Sequence, residues 1–178
     1  SLRTRARFCS NHIHKVANFC ASILRARISH RKHYKKIMAQ KPNVLMLGTG
    51  EYTTGWVGKA SDSDKSTGVV ALVMLDLKRR NKINDLAMCG TSGPKLPQIR
   101  EHMRKMLGAY EGIDPGLVKT FPADDVIDRE AYKGAISTLK KGDCAIIFTP
   151  DDTHFSIAEH CIKHGIHVMI TKPPVKTL

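Results

Sequence analysis

The chain has 178 residues, with 29 Lys plus Arg against 16 Asp plus Glu and a formal net charge of +13. That length holds one domain with a real core and not comfortably two, and no apolar run approaches the roughly 20 residues of a membrane-spanning helix. The charge is segregated, with 11 Lys and Arg and no acid before Pro42 and then 18 basic against 16 acidic residues, so the domain itself lacks the surplus that would point to nucleic acid.

Residues 1–41 therefore read as a basic leader outside the fold. Two origins stay open. A stretch rich in Arg, Ser and Ala and poor in acids has the composition of a mitochondrial transit peptide. Alternatively the protein begins at Met38 and the stretch before it is not native. The location expected is cytoplasmic under the second reading and mitochondrial under the first. Cys9, His12, His14 and Cys20 have spacings that match no common zinc pattern, so no metal site is expected. The remaining cysteines, Cys89, Cys144 and Cys161, add to no disulfide framework. An odd, widely spaced set fits a reducing compartment.

From Pro42 the elements alternate. A short apolar run at 43–47 predicts a buried strand, followed by glycines at 48, 50, 55 and 58. A polar break at 61–66 precedes a helix over 67–80, with Asp64 or Ser66 as its cap. Its abundant valines and leucines suit burial against a sheet, and Lys78-Arg79-Arg80 suits its C-terminal dipole. A second strand is expected over 85–89, a helix over 96–107, a third strand over 118–121 and a helix over 130–140. A fourth strand follows at 144–148, a helix at 153–164 closed by Gly165, and a fifth strand at 166–170. Strand and helix in strict alternation predict the α/β class: a doubly wound, Rossmann-like parallel sheet over residues 42–178.

The first functional signal is Gly48-Thr49-Gly50, directly after the first strand. A pyrophosphate must come close to backbone, and glycine removes the side chain that would stand in the way. The usual third glycine would fall at 53, where this chain has Thr53, so an expanded turn through Glu51, Tyr52, Thr53, Thr54 and Gly55 is expected. The second signal closes strand two. Cys89-Gly90-Thr91-Ser92-Gly93-Pro94-Lys95 contains no carboxylate to bind an adenosine ribose hydroxyl. Thr91, Ser92 and Lys95 could instead hold a 2′-phosphate by charge-assisted hydrogen bonds. NADP(H) is the expected cofactor, with NAD(H) as the alternative.

Strand four ends in Phe148-Thr149-Pro150-Asp151-Asp152-Thr153-His154, and strand five runs into Thr171-Lys172-Pro173. Both are carboxyl strand ends, where such sheets bind ligands. Here the chain resembles the Gfo/Idh/MocA oxidoreductases, which show a Thr-Pro…His turn after strand four and a Glu-Lys-Pro motif after strand five. The expanded glycine turn and the Thr-Lys-Pro variant look most like the family's D-galacturonate reductase branch. The resemblance implies hydride transfer to or from a sugar or sugar acid. It implies that Lys172 is catalytic, beside nicotinamide and substrate, and polarises a carbonyl or relays a proton. Thr149, Pro150 and His154 would border the cofactor, and Pro173 would shape the turn that aims Lys172.

The same resemblance implies a second domain after the lysine motif, supplying substrate contacts and an oligomer interface. The chain is therefore expected to be truncated and inactive by itself, and the full-length protein to be a homo-oligomer with a small-molecule substrate and no membrane or nucleic-acid partner. A non-catalytic nucleotide-binding module of the same fold remains the alternative. His160 and His164, four apart on a helix, are expected to form an exposed face and not a metal site. Asp124-Asp125 reads as a loop or cap, and Asp151-Asp152 as part of the turn after strand four.

Overall fold

The computed structural model describes residues 41–58 and 67–174. The expectations for Cys9, His12, His14 and Cys20 fall outside these residues. Five strands form one sheet: β1 (Val44–Leu47), β2 (Leu86–Cys89), β3 (Val118–Phe121), β4 (Cys144–Ile147) and β5 (His167–Ile170). Their order is β3-β2-β1-β4-β5, with every neighbouring pair parallel. The chain works outward from β1 to one side, then crosses to the other. That reversal opens a crevice above the carboxyl ends of β1 and β4.

Each strand alternates its side chains between the two faces. Val44, Met46, Leu86, Met88 and Ile146 face one layer, made by α2 (Val69–Arg79) and α3 (Leu96–Leu107). Leu45, Leu47, Ala87, Ala145 and Ile147 face the other, made by α4 (Ala131–Ser137) and α5 (His154–Lys163). Both faces are covered, which explains why the strands read as continuous apolar runs. Met46, Met88, Ile99, Leu107, Leu45 and Ile147 are wholly buried. Each such side chain contributes about 1.5–3 kcal/mol of burial.

The sequence misses the short helical elements, three of them single 3-10 turns at Gly93–Lys95, Pro115–Leu117 and Asp151–Thr153. The glycine turn runs into a single helical turn, α1 (Glu51–Thr54), which Gly55 ends in a left-handed conformation at φ 77°. The next helix starts at Val69 with Gly68, at φ 65°, in its cap position, while Asp64 and Ser66, expected as caps, lie outside the described residues. That helix is also less enclosed than its composition suggests, because Val69 and Val73 remain exposed. The helix expected over 130–140 stops at Ser137. There the Ser137 and Thr138 hydroxyls donate to the carbonyls of Gly134 and Ala135, at 2.6 and 2.7 Å, competing with helical continuation.

Two polar anchors fix the sheet ends. At the amino end the buried Asp143 carboxylate accepts from the Asn43 N–H and side-chain amide, each at 2.9 Å, and from the Lys140 N–H at 2.8 Å. At the carboxyl end Arg100 on α3 donates to both oxygens of Asp124, at 2.9 and 2.5 Å, and to the Thr120 hydroxyl at 3.0 Å. This pair ties down the loop after β3. The Arg100 hydrogen bond holds the Asp124 carboxyl below the usual carboxylate range. Its contribution is complete above the unfolded value of about 3.9 and is lost as pH falls through the lower folded value. Asp124→Asn should therefore melt about a degree or two below the unmodified chain at neutral pH. The gap should close as melting is repeated below about pH 4. A gap independent of pH would show that the carboxylate charge is not what anchors the loop.

Candidate cofactor site

The crevice is built around Gly48. Its φ is +106°, its N–H donates to the Cys89 carbonyl at 2.9 Å, and a Cβ placed on it would lie 2.1 Å from the Phe148 carbonyl oxygen. Only glycine fits between the ends of β2 and β4 at this point. Gly50 serves a different need. A Cβ there would meet nothing within 4 Å, so the missing side chain leaves open space and not a packed contact. The turn between them is held from inside. The Thr53 and Thr54 N–H groups both donate to the Gly50 carbonyl, and the Thr54 hydroxyl donates to the carbonyls of Thr49 and Gly50 at 3.0 and 3.2 Å. Thr53 thus stands inside a closed helical turn where a third glycine was absent. The close approach expected of that glycine falls to Gly68, whose Cβ would lie 2.5–2.7 Å from the backbone of Thr53, Thr54 and Gly55.

Two cavities adjoin this turn. The larger, of about 750 Å³, is floored by Gly48, Thr49 and Gly50 and runs past Thr91 on one side to Thr149 and Pro150 on the other. The smaller, of about 390 Å³, shares Thr49, Gly50 and Thr91 and adds Glu51, Ser92 and Lys95. The β2 loop between them is fixed from outside. Gly93 donates to the Val126 carbonyl, Asp128 donates to the Thr91 carbonyl, and Ser92 bridges Ile127. Thr49 packs on Gly90, where a Cβ would lie 2.9–3.0 Å from its side chain. The glycine turn and the β2 loop are therefore one packed unit.

Of the residues singled out in the sequence, Gly48, Thr49, Gly50, Thr91, Ser92, Lys95, Thr149 and Pro150 come together on these two cavities. Tyr52, Thr53, His154, Lys172 and Pro173 line neither. Tyr52 is exposed with its ring 6.3 Å from that of Phe148, and Thr53 is buried. Lys172 is exposed just past the carboxyl end of β5, before a cis bond to Pro173. His154, expected at a ribose, is wholly buried, and its ring nitrogens face the carbonyls of Pro173 and Thr149.

Sequence reasoning missed the outer wall of the larger cavity: Arg129, Glu130 and Tyr132 from the start of α4, and Ser156 and Ile157 from α5. The loop after β3 ends at the same carboxyl edge as the other site loops. Applying the strand-end rule to it would have found Arg129.

The three cysteines among the described residues are free and poorly placed for reactivity. Burial pushes the Cys89 thiol up to about 12 and Cys161 up to about 11, and raises Cys144 as well. Their thiols stay protonated at neutral pH and are poor nucleophiles. The His160 and His164 rings stack at 4.4 Å, and His160 is held below its usual value by desolvation and by its neighbour His164. Among the described residues no group of three potential ligands could hold a metal ion, and no helix is long and apolar enough to cross a membrane.

A sheet of this order, with a glycine turn at its switch point, is the frame of a dinucleotide site. The open face of Gly50 is where the backbone can meet a pyrophosphate. The family model for oxidoreductases with an NAD-binding Rossmann fold, Gfo/Idh/MocA, matches residues 42–178. The chain belongs to the Gfo/Idh/MocA oxidoreductase family. No curated protein matches this Gfo/Idh/MocA chain. Among solved structures it is similar to an oxidoreductase from Sinorhizobium meliloti, at 19% identity over 78% of this chain and 31% of that one, with a TM-score of 0.40. It is also similar to glucose-6-phosphate 1-dehydrogenase from Mycobacterium avium, at 16% identity over 75% of this chain and 30% of that one, with a TM-score of 0.49. The chain thus spans under a third of the length of these two structures.

Proposed function

We propose that this chain binds NADP(H) across the two adjoining cavities and serves hydride transfer to or from a sugar or sugar acid, with reduction of D-galacturonate to L-galactonate as the specific reaction. The supporting observation is the pair of cavities joined at Thr49, Gly50 and Thr91, one reaching Pro150 and the other Lys95. Gly48 and Gly50 let backbone approach the pyrophosphate, and Thr91, Ser92 and Lys95 surround the space for a 2′-phosphate. A bound nicotinamide supplies or takes up the hydride. Lys172 hydrogen-bonds the substrate carbonyl oxygen, delivers a proton to it as it becomes a hydroxyl, and recovers that proton in the reverse direction. Thr171 stands where the family has glutamate, so no carboxylate at that position offsets the Lys172 charge. That arrangement suits a substrate carrying its own carboxylate, as a uronate does.

One observation favours the NAD(H) reading. Glu51 lines the smaller cavity, and an acid there can accept from a ribose hydroxyl. Fluorescence titration separates the two. NADPH should bind more tightly than NADH, and Lys95→Ala should weaken NADPH by roughly 10–100-fold, from loss of a charge-assisted hydrogen bond, while leaving NADH unchanged. Equal or tighter NADH binding by the unmodified chain would transfer the assignment to NAD(H). A screen of uronic acids and neutral sugars with the native full-length protein then tests the reaction. Cofactor binding with no turnover on any of them would support the non-catalytic module instead.

A further inference from the structure

We propose that His154 is a positioning residue that clamps the turn after β4 to the turn after β5 and thereby fixes the stance of Lys172. The inference rests on the reading of Lys172 given above. His154 opens α5 and has no exposed surface. Its Nδ1 lies 2.8 Å from the Pro173 carbonyl oxygen and its Nε2 lies 3.0 Å from the Thr149 carbonyl oxygen. Those carbonyls belong to two different strand ends. Thr149 borders the larger cavity, and Pro173 follows Lys172 directly.

The clamp contact lies just past the last ladder pair described for β5, Ile147 with Ile170. Among the described residues β5 pairs with β4, and the contact past its end is the Thr171 N–H to the Ile147 carbonyl at 3.2 Å. Lys172 then stands exposed on the outgoing chain. A side chain whose placement decides a reaction cannot be left on a free arm, since a misplacement of about 1 Å can cost about 100-fold in rate. His154 follows the turn after β4 in the chain, so the Nδ1–H tautomer, donating its one N–H to the Pro173 carbonyl, tethers the two turns from within the core, where a hydrogen bond is not weakened by water. It acts on Lys172 through Pro173, and it is not itself in contact with either cavity.

Three substitutions and two readouts test this in the native full-length protein. Phenylalanine keeps the ring and its packing but bonds neither carbonyl. Asparagine places an amide near Nδ1 and can keep the bond to Pro173. Glutamine places one near Nε2 and can reach the Thr149 carbonyl but not that of Pro173. His154→Phe should lower kcat roughly tenfold or more while the cofactor KM moves less than about threefold. His154→Asn should recover more of the loss than His154→Gln. In a Lys172→Met background, His154→Phe should add no further loss of turnover, because the two residues act as one unit. Hydrogen exchange gives a readout independent of activity. The Thr171 and Lys172 amides should exchange about tenfold faster or more in His154→Phe. Unchanged exchange overturns the clamp even if folding or turnover suffers for other reasons. Faster exchange with additive losses in the double variant, or with Asn and Gln equally active, overturns the link to Lys172. If Lys172→Met alone leaves turnover intact, the reading of the reaction fails while exchange still decides the clamp.

Discussion

Methionine at position 172 should slow turnover by about 10²–10⁴-fold, the range lost when a positioned acid–base group is removed. Methionine keeps the length and most of the volume of lysine and removes only the ammonium. The group works on the carbonyl oxygen as it gains charge, so its interaction is stronger in the transition state than with bound substrate. kcat and kcat/KM should then fall together, with the cofactor affinity changed by less than about threefold. Steady-state kinetics on the native full-length protein and fluorescence titration of the cofactor measure both quantities. A rise in KM with kcat intact would make Lys172 a binding residue and remove it from the chemistry. Lys172 is exposed past the carboxyl end of β5 and lines neither cavity, so its loss should leave the walls of both intact.

Alanine at position 48 should destabilise the fold by roughly 2–6 kcal/mol, combining a forced left-handed backbone of about 1–3 kcal/mol with an overpacking cost of about 1–3 kcal/mol. The new methyl would lie 2.1 Å from the Phe148 carbonyl oxygen and 2.8 Å from its carbon, both backbone atoms that cannot swing aside. Melting temperature should drop by about 5–20 °C. Gly50→Ala is the control that separates folding from binding. Its φ is −80° and its Cβ has room, so stability should change by less than about 0.5 kcal/mol while cofactor binding weakens. If both variants lose stability equally, the division of labour between the two glycines is wrong.

Where the sequence was informative, it was so for local reasons. The third strand at 118–121 and the helix at 96–107 fall where they were expected, because prolines and a glycine punctuate both ends of the helix and the strand is an uninterrupted short run between turns. The strand pattern also revealed two covered faces, hence the parallel sheet. The three functional loops were legible because they follow strands at one edge. What escaped depended on contacts through space. A four-residue helix has no periodicity to read, and Gly55 ends it by a conformation that the chain does not spell out. Arg129 reaches the crevice only because its loop is pinned across Thr91–Gly93 by Val126 and Asp128. His154 was visible as a motif residue, but its burial and its two carbonyl neighbours were not, and the positioning role proposed for it rests on them.

Gly68 bears on what a fixed-spacing signature can record. A Cβ on it would lie 2.5–2.7 Å from the backbone of Thr53, Thr54 and Gly55, so the start of α2 can meet the glycine turn only because position 68 carries no side chain. A signature follows addresses along the chain, whereas closure of this turn depends on where two backbones meet, and a chain with threonine at 53 still builds it.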